Sequence, residues 1–468
     1  MNHLDRRHFI KSTLGTTAGL IALPNIFTGG LFAATSPNKR LQIAHIGCGR
    51  MGSGDMDGVL KDPRVRVVAV CELDSKRAAA GKKQAEDYYK KKGETGANVK
   101  IYEDYHEVLA NPAIDAVVVS LPDHWHGLVA ISAAIAGKHM YVQKPLTYNI
   151  AEAIALRTAV LAKKVVLQTG SQQRSEQPFP AFRPASEAVR NGRIGKLQTI
   201  KIGVGIDKPS GKKPAPMPIP ANLNFDRWLG SAPEQPYMEG RVHSQTDRGG
   251  RPGWITTEDF GLGMITNWGA HHLDIAQWAM GQELGGPLTV EAKADFMTDD
   301  VWTVHRSYHV EMMFPDNVKV ILDDKFENGI LFEGSEGTVF CTRGAAKVTA
   351  SDPNTPVGGK SALRASDGKI LSPLGADAKR WPGSKDHYTN WIDSIFANTE
   401  PIAPVTQSSR SLETCAAAWI GMKLGRKLTW DAAKEDFVGD AEATALRSRK
   451  ARKAEYDINL IMKNAGLA

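Results

Sequence analysis

The glycine pattern at residues 47–52 constrains the fold of this chain more than any other feature. The apolar segment LQIAHI runs into GCGRMG, in which Gly47, Gly49 and Gly52 have the spacing Gly-x-Gly-x-x-Gly. A strand that enters such a turn and continues as a helix brings the backbone close to a pyrophosphate, whose oxygens bind N–H groups at the helix start. The motif alone is weak evidence, so its sequence context decides the interpretation.

Strands and helices alternate after the glycine motif. The strand VRVVAVCEL carries Glu72 at its exit, 20 residues beyond Gly52, and AVVVSLP and KHMYVQKP are separated by a helical segment. This alternation predicts a doubly wound parallel sheet, the Rossmann arrangement. A carboxylate at position 72 would bind the ribose hydroxyls of NAD, while Lys76 and Arg77 keep NADP as the alternative cofactor. The other interpretation of Glu72 is a solvated carboxylate at a strand end.

Length, charge and cysteine spacing narrow the class of protein. A chain of 468 residues is too long for one ordinary core, so two domains are expected. The formal charge of +7 is spread along the chain, and its basic clusters are short and lack interleaved aromatic residues, which does not favour nucleic-acid binding. No run inside the domains reaches membrane-spanning length. Four cysteines without metal-binding spacing are expected to be free thiols: Cys48, Cys71, Cys341 and Cys415.

The first 34 residues predict export. Arg6 and Arg7 precede an uncharged, modestly apolar stretch and then small residues, which resembles a twin-arginine signal. An amphipathic helix is the alternative, but two glycines and a proline would make it a poor one. We therefore expect residues 1–34 to be a signal peptide and the product to be periplasmic.

An ordered set of motifs resembles the Gfo/Idh/MocA oxidoreductases. These motifs are GCGRMG, SLPDHWH, AGKHMYVQKP, GSQQR, NGRIGK and NWGAHHLD, and they extend over about residues 40–280. The resemblance implies a Rossmann domain followed by an α+β domain with a large, mostly antiparallel open sheet that covers the nicotinamide and forms a sugar pocket. We place the Rossmann domain at residues 40–168, the α+β domain at 169–440 and a basic tail at 441–468.

A long segment rich in proline and glycine, about residues 207–262, interrupts the strands of the second domain. A structureless loop of that length is uncommon in a compact domain, so we interpret the segment as a partly ordered lid or partner arm. Sheet faces of this family often pair, and the resemblance therefore implies a homodimer or homotetramer.

The resemblance assigns the chemistry to Lys144 and His271. The family ends a strand with Glu-Lys-Pro, where this chain has Gln143-Lys144-Pro145, and the lysine lies against the nicotinamide. An oxidised ring and a desolvated cleft would lower the lysine pKa and let the amine help move the hydroxyl proton. His271 matches the histidine that takes this proton as hydride leaves the same carbon. The alternatives are a lysine that clamps backbone carbonyls and a histidine packed in the core.

Asn267, His271 and Asp274 have the spacing i, i+4 and i+7, which places them on one face of a helix. The family commonly has aspartate where Asn267 stands. An amide can orient an imidazole and bind a sugar hydroxyl, but it cannot stabilise an imidazolium as a carboxylate does. Asp274, one turn away, is the candidate to replace the missing charge.

The remaining site residues divide between cofactor and substrate. Cofactor contacts are expected from Arg50, Met51, Leu121, His126 and Gln143. Carbohydrate contacts are expected from His124, Trp125, Gln172, Gln173, Arg174, Asn267, His272 and Asp274. Residues 172–174 could equally be a polar surface loop. The neighbouring histidines also suggest zinc, but no third ligand has recognisable spacing, so we expect no metal.

Three functions fit these motifs. The periplasm offers no dependable pool of free nicotinamide cofactor, so a firmly held and recycled cofactor is expected. The favoured function is oxidation of a sugar, glycoside or polyol by hydride transfer. The alternatives are a redox-neutral glycoside hydrolase or lyase that oxidises its substrate transiently, and a non-catalytic sugar-binding protein, which the amides at Gln143 and Asn267 motivate.

Overall fold

The computed structural model describes residues 40–283, 285–346 and 360–467, which belong to one structural unit. The predicted signal peptide, residues 1–34, lies outside these ranges. Among the helices within them, none combines the length and the apolar character that a bilayer crossing requires.

The first sheet is parallel throughout, with strand order β3-β2-β1-β4-β5-β6. Its strands are β1 (Leu41–Ile46), β2 (Val65–Cys71), β3 (Lys100–Tyr102), β4 (Ala116–Val119), β5 (His139–Val142) and β6 (Leu167–Thr169). The connecting helices are α1 (Arg50–Leu60), α2 (Ser75–Lys91), α3 (Tyr105–Ala110), α4 (Asp123–Ile135) and α5 (Ile150–Lys163). This order confirms the predicted doubly wound fold, and it puts the carboxyl ends of β1 and β4 at the switch point where such sheets bind ligands.

Local sequence explains where these elements begin. All four residues of β4 are buried, as in a strand covered by helices on both faces. Asp74 and Asn149 cap α2 and α5, since their side chains accept hydrogen bonds from N–H groups of the first turn. Each cap directly precedes a helix that must leave the carboxyl edge of the sheet.

The second sheet has nine strands in the order β13-β12-β11-β7-β10-β9-β8-β14-β15. Only β7 and β10 pair in parallel among these neighbours, so the sheet is mixed and mostly antiparallel, as expected. Its strands are β7 (Leu197–Gly203), β8 (Thr289–Phe296), β9 (His305–Met313), β10 (Lys319–Asp323), β11 (Gly329–Gly334), β12 (Thr338–Cys341), β13 (Leu363–Ala365), β14 (Leu428–Asp431) and β15 (Asp436–Phe437).

Helices cover one face of this sheet. The later helices are α6 (Phe182–Arg190), α7 (Phe225–Leu229), α8 (Met264–Asn267), α9 (Gly269–Met280), α10 (His387–Ala397), α11 (Val405–Leu424), α12 (Ala441–Ala445) and α13 (Ile458–Asn464). Helices α6, α9 and α11 pack on the sheet, where alternate residues such as Val320 and Leu322 of β10 are buried. The α+β architecture implied by the resemblance is therefore confirmed.

Segments from the end of the chain return to the first domain. Trp391 and Ile392 of α10 belong to the same apolar cluster as Val67 of β2. Tyr456 and Met462 join the cluster built around α4 and α5. The boundaries at 40–168, 169–440 and 441–468 stay predictions, but the Rossmann core clearly includes side chains from beyond residue 390.

The insertion at 207–262 packs against its own chain. It contains α7 and an apolar cluster that includes Phe225, Trp228 and Tyr237. Arg77 Nη2 donates to the carbonyl of Ser244 at 3.1 Å, which ties the insertion to the carboxyl edge of the Rossmann sheet. The four cysteines are buried free thiols.

Candidate active site

A cleft that is partly open to solvent lies between the carboxyl edge of the Rossmann sheet and helices α8 and α9. Thirteen of the predicted site residues line it: Gly47, Gly49, Arg50, Met51, Glu72, Leu121, Trp125, His126, Gln143, Lys144, Gln172, Asn267 and His271. The first domain supplies the strand ends and the start of α1, and the second domain supplies the imidazole. The fold therefore brings both predicted catalytic residues to one space.

The three glycines have different physical tasks. Gly47 has a φ of +95°, and a Cβ there would lie 2.3 Å from the carbonyl oxygen of Ser120. A Cβ at Gly52 would lie 2.1 Å from the carbonyl oxygen of Gly47, so Gly52 serves the packing of α1 and does not line the cleft. Gly49 is different, because a Cβ there would meet only the Arg77 guanidinium, at 3.4 Å. The space beside Gly49 is open on the cleft side.

The start of α1 fits a dinucleotide pyrophosphate. Within the described part of the chain, no side chain caps this helix and no acidic residue lies in its first turn. Its leading N–H groups therefore face the cleft with the positive end of the helix dipole and without a competing carboxylate. Together with the open side of Gly49, this arrangement suits the phosphates of NAD or NADP.

Glu72 is held in a fixed orientation at the end of β2. Its Oε2 accepts a hydrogen bond from the Cys48 N–H at 2.8 Å, and its Oε1 accepts from the N–H groups of Leu73 at 2.9 Å and Asp74 at 3.2 Å. Of the two nearby basic residues, Arg77 lines the cleft, whereas Lys76 is exposed and does not. A fixed carboxylate and one guanidinium thus share the end of the cleft where the ribose would lie.

Lys144 links the two domains. Its Nζ donates to the backbone carbonyl of Asn267 at 2.9 Å, and its backbone N–H donates to Gln143 Oε1 at 3.1 Å. The side chain is half-buried and lines the cleft. The clamp on a carbonyl considered from the sequence is therefore present, and it holds the amine at the cleft wall.

His271 lies in the first turns of α9 and is buried. Burial, and then the positive charges of Arg343 and Lys144, lower its pKa well below the ordinary value. Its Nδ1 has no hydrogen-bond partner among the described residues. The imidazole is therefore neutral at physiological pH and able to accept a proton.

Asp274 does not act on His271 as the helical spacing suggested, whereas Asn267 lines the cleft together with His271. The helix is interrupted at Trp268, so Asn267 ends α8 and His271 belongs to α9. Asp274 turns instead to Arg174, whose Nε and Nη2 donate to its two carboxylate oxygens, each at 2.7 Å. Neither Asp274 nor Arg174 lines the cleft. A carboxylate in this buried pair is not available to orient the imidazole or to bind substrate.

Other predicted substrate residues also lie behind the cleft wall. Gln173 contacts His272 Nδ1 at 3.2 Å, and His272 Nε2 contacts Asn328 Oδ1 at 3.3 Å. His124 Nε2 contacts the carbonyl of Trp228 at 3.0 Å, while the indole of Trp125 bonds the same carbonyl and does line the cleft. Three of these side chains support the cleft wall without lining the cleft: Gln173, His272 and His124. They are buried, and buried polar groups form hydrogen bonds within the protein.

Several cleft residues were missed by the sequence reasoning. Arg248 and Trp254 come from the insertion, and Arg343 follows β12 and stacks on Trp268 at 4.4 Å. Asp123, the first residue of α4, does not line the cleft itself; it is buried, and burial raises its pKa to about 7 against the opposing charge of Lys144. Only Asp123 stood within a quoted motif. No sequence spacing connects the others to the glycine turn.

Metal ligation is not supported by the described residues, since no group of three or more histidine, cysteine, aspartate or glutamate side chains among them could hold an ion. His124 and His126 contact different backbone carbonyls, those of Trp228 and Pro145.

Comparison with known proteins identifies the two domains. Residues 41–171 match the oxidoreductase family model described as an NAD-binding Rossmann fold, and residues 207–349 match the model of that family's C-terminal alpha/beta domain. The two matches together span more than half of the chain.

Curated relatives match over shorter segments. The myo-inositol 2-dehydrogenase of Thermotoga maritima is 33% identical over 120 residues, covering 26% of this chain and 33% of that protein. The scyllo-inositol 2-dehydrogenase (NAD(+)) of Bacillus subtilis is 37% identical over 113 residues, covering 24% and 31%. A glycosyl hydrolase family 109 protein of Shewanella is 27% identical over 169 residues, covering 32% and 36%. The chain thus spans about a third of the length of each of these relatives.

Solved structures match over most of the chain. The WlbA dehydrogenase of Bordetella pertussis, in complex with NADH and UDP-GlcNAcA, has a TM-score of 0.57 at 15% identity, covering 84% of this chain and 99% of that one. The aldose-aldose oxidoreductase of Caulobacter crescentus, complexed with glycerol, has a TM-score of 0.57 at 19% identity, covering 84% and 100%. At these identities the likeness concerns the fold. With both domain models matched in order, the chain belongs to the Gfo/Idh/MocA family of oxidoreductases, and its first domain is an NAD-binding Rossmann fold.

Proposed function

We propose that this protein oxidises a CH–OH group of a sugar, glycoside or polyol with NAD and keeps the cofactor between turnovers. The observation that carries the proposal is that Lys144 and His271, from different domains, line the same cleft as the glycine turn. NAD, when bound there, would supply a hydride acceptor for the carbinol carbon.

Proton transfer falls to the two side chains. His271 is neutral, so it can take the hydroxyl proton as the carbon is oxidised. The Lys144 ammonium is held at the cleft wall by its hydrogen bond to the Asn267 carbonyl. From there it can bind the substrate oxygen and stabilise the negative charge that develops on it.

The lining of the substrate end suits a polyhydroxylated ring. Gln172 offers an amide, Trp268 and Trp254 offer aromatic faces, and Arg343 offers a guanidinium. Polar groups that bind hydroxyls beside aromatic surfaces that cover ring C–H groups are what a sugar or polyol needs. The inositol dehydrogenases among the relatives act on polyols of this chemical kind, which supports the same class here.

Retention of the cofactor is supported by the insertion. His243, Arg248 and Trp254 line the cleft, and His243 Nε2 contacts Asp74 Oδ2 at 3.0 Å. Arg248 also donates to Gln84 on α2, at 2.9 Å. A cover anchored to the Rossmann domain by its own chain would slow cofactor release, and Arg248 brings a positive charge that suits phosphate.

We further propose NAD over NADP, a periplasmic location reached through the twin-arginine signal, and a homodimer or homotetramer. The fixed carboxylate of Glu72 supports the first of these, because it would repel a 2′-phosphate. Cell fractionation with mass analysis of the mature N-terminus tests the second, and light scattering on the purified protein tests the third.

A second candidate function is redox-neutral glycoside cleavage through transient oxidation. The similarity to glycosyl hydrolase family 109 proteins favours it, and the same lysine and imidazole could serve the oxidation step. In that case hydride returns to the substrate and no net change in the cofactor is seen.

One experiment separates these functions. Protein purified without added cofactor is denatured, and the released nucleotide is identified by mass spectrometry. The native protein is then incubated with a panel of sugars, glycosides and polyols. A lasting rise in reduced nicotinamide absorbance supports the oxidoreductase, and aglycone release without that rise supports the hydrolase. Sugar binding without an absorbance rise or aglycone release would indicate a non-catalytic sugar-binding protein and would refute the proposal.

A further inference from the structure

We infer that Asp55 is a positioning residue for Lys144 and acts through the amide of Gln143. Asp55 lies in α1 and is fully buried. Its Oδ1 accepts hydrogen bonds from Gln143 Nε2 at 2.8 Å and from Tyr388 Oη at 2.7 Å, and its Oδ2 accepts from Ser120 Oγ at 2.6 Å. The inference rests on the proposed role of Lys144 in oxidation.

The amide at position 143 is the link between this carboxylate and the lysine. Its Nε2 donates to Asp55, and its Oε1 accepts from the Lys144 backbone N–H at 3.1 Å. An amide can donate with one end and accept with the other, so the Asp55 carboxylate fixes which way the amide is turned. That orientation in turn presents the acceptor to Lys144.

A glutamate at position 143 would not serve in this setting. Two ionised carboxylates would then meet at hydrogen-bond distance in a buried site, and one of them would have to bind a proton. The family's Glu-Lys-Pro motif carries its negative charge at that position. Here the charge is found on Asp55, one hydrogen bond further from Lys144. This chain therefore has an amide where the family motif has its carboxylate, and it has a carboxylate at Asp55 of α1 that bonds to that amide.

The surroundings hold this arrangement in place. A Cβ at Gly170 would lie 2.7 Å from Gln143 Oε1, so the amide is confined by the neighbouring strand end. Burial raises the pKa of Asp55 to about 6, although its three hydrogen bonds and the charge of Lys144 oppose the rise. The carboxylate is ionised at neutral pH and accepts hydrogen bonds from all three neighbours.

A charge-swap cycle tests the inference. The variants are Asp55→Asn, Gln143→Glu and the double variant Asp55→Asn/Gln143→Glu, which exchanges the amide and the carboxylate. Each single variant is expected to lower kcat about ten- to hundredfold, the effect of one hydrogen bond to a charged group. The double variant should recover to within about threefold of the wild type, because the amide introduced at position 55 can donate to the carboxylate introduced at position 143. KM and NAD content should change little in Asp55→Asn, because Asp55 does not line the cleft.

The matched control is Asp57→Asn. Asp57 lies on the same helix and accepts from Gln84 Nε2 at 2.7 Å, but the contact is exposed and far from the lysine in the hydrogen-bond network. Its substitution should leave kcat unchanged. Gln143→Met, which keeps the side-chain size and removes both hydrogen bonds, tests the same link if Asp55→Asn does not fold, and it should match the single variants.

A second readout does not depend on catalysis. Amide hydrogen exchange, followed by mass spectrometry on the peptide covering residues 139–148, should accelerate in each single variant and return to the wild-type rate in the double variant. Wild-type kcat and exchange in Asp55→Asn would overturn the inference, and so would a double variant no better than the singles. If the wild-type protein oxidises no sugar, the proposed function fails, while the exchange data still decide the positioning role.

Discussion

The buried pair of Arg174 and Asp274 gives the sharpest test of which polar residues belong to the site. Their side chains are 1% and 2% exposed and form two parallel contacts of 2.7 Å. Arg174 also donates to Gln407 at 2.6 Å, and Ser411 donates to Asp274 at 2.9 Å. The sequence pattern assigned both charged residues to substrate, whereas these contacts assign them to the packing of α9 against α11.

We predict that Arg174→Met lowers the free energy of unfolding by about 3–5 kcal/mol, because it leaves the Asp274 carboxylate buried with only a hydroxyl donor. The double variant Arg174→Met/Asp274→Leu should recover most of that loss, since replacing both charges by apolar groups of similar size removes the unpaired ion. Guanidinium unfolding followed by tryptophan fluorescence measures both values. KM for the sugar should stay within about twofold of the wild type in the double variant.

Arg306→Met is the control, because Arg306 pairs with Asp295 on the surface and both side chains are about half exposed. Breaking that pair should cost about 0–1 kcal/mol. The reasoning would be refuted if Arg174→Met unfolded like the wild type and raised KM instead. That result would return Arg174 to the substrate site.

Three further predictions concern the cofactor and the proton acceptor. Gly49→Ala should change the free energy of unfolding by no more than about 0.5 kcal/mol, yet it should weaken NAD binding at least about tenfold in fluorescence titration. Gly47→Ala should instead lower the free energy of unfolding by more than about 1 kcal/mol, because the φ of Gly47 is positive. Arg343→Met should raise the pKa of His271, so the acid limb of the kcat–pH profile, which lies below about pH 6.5 in the wild type, moves to higher pH. An unmoved limb would exclude His271 as the titrating base. Glu72→Ser should shift the NAD-to-NADP ratio of kcat/KM at least about tenfold towards NADP, and an unchanged ratio would contradict the assigned role of the carboxylate.

The sequence predicted the first domain well because its signals are local. About a dozen consecutive residues encode the strand, the glycine turn and the start of the helix, and the carboxylate of Glu72 follows at a typical distance along the chain. The sequence also indicated that Lys144 and His271 belong together, through the motif set that resembles the family. The cleft lining bears out their proximity without testing their roles.

Pairings across the chain could not be read from spacing. Arg174 contacts Asp274, and Asp55 contacts Gln143, only after distant parts of the chain have folded together. No local sequence signal predicts either pairing. Burial then decided the outcome, since a polar group inside the protein bonds whichever partner the fold brings near.

The packing of α10 on the Rossmann core has a consequence for how the protein is made. Trp391 is fully buried in a cluster with first-domain residues that the ribosome produces more than 200 positions earlier. The nascent first domain would emerge with an apolar surface that its own strands and helices leave uncovered. Its completion must wait until translation is nearly finished, and a fragment that stops after β6 should be prone to aggregate.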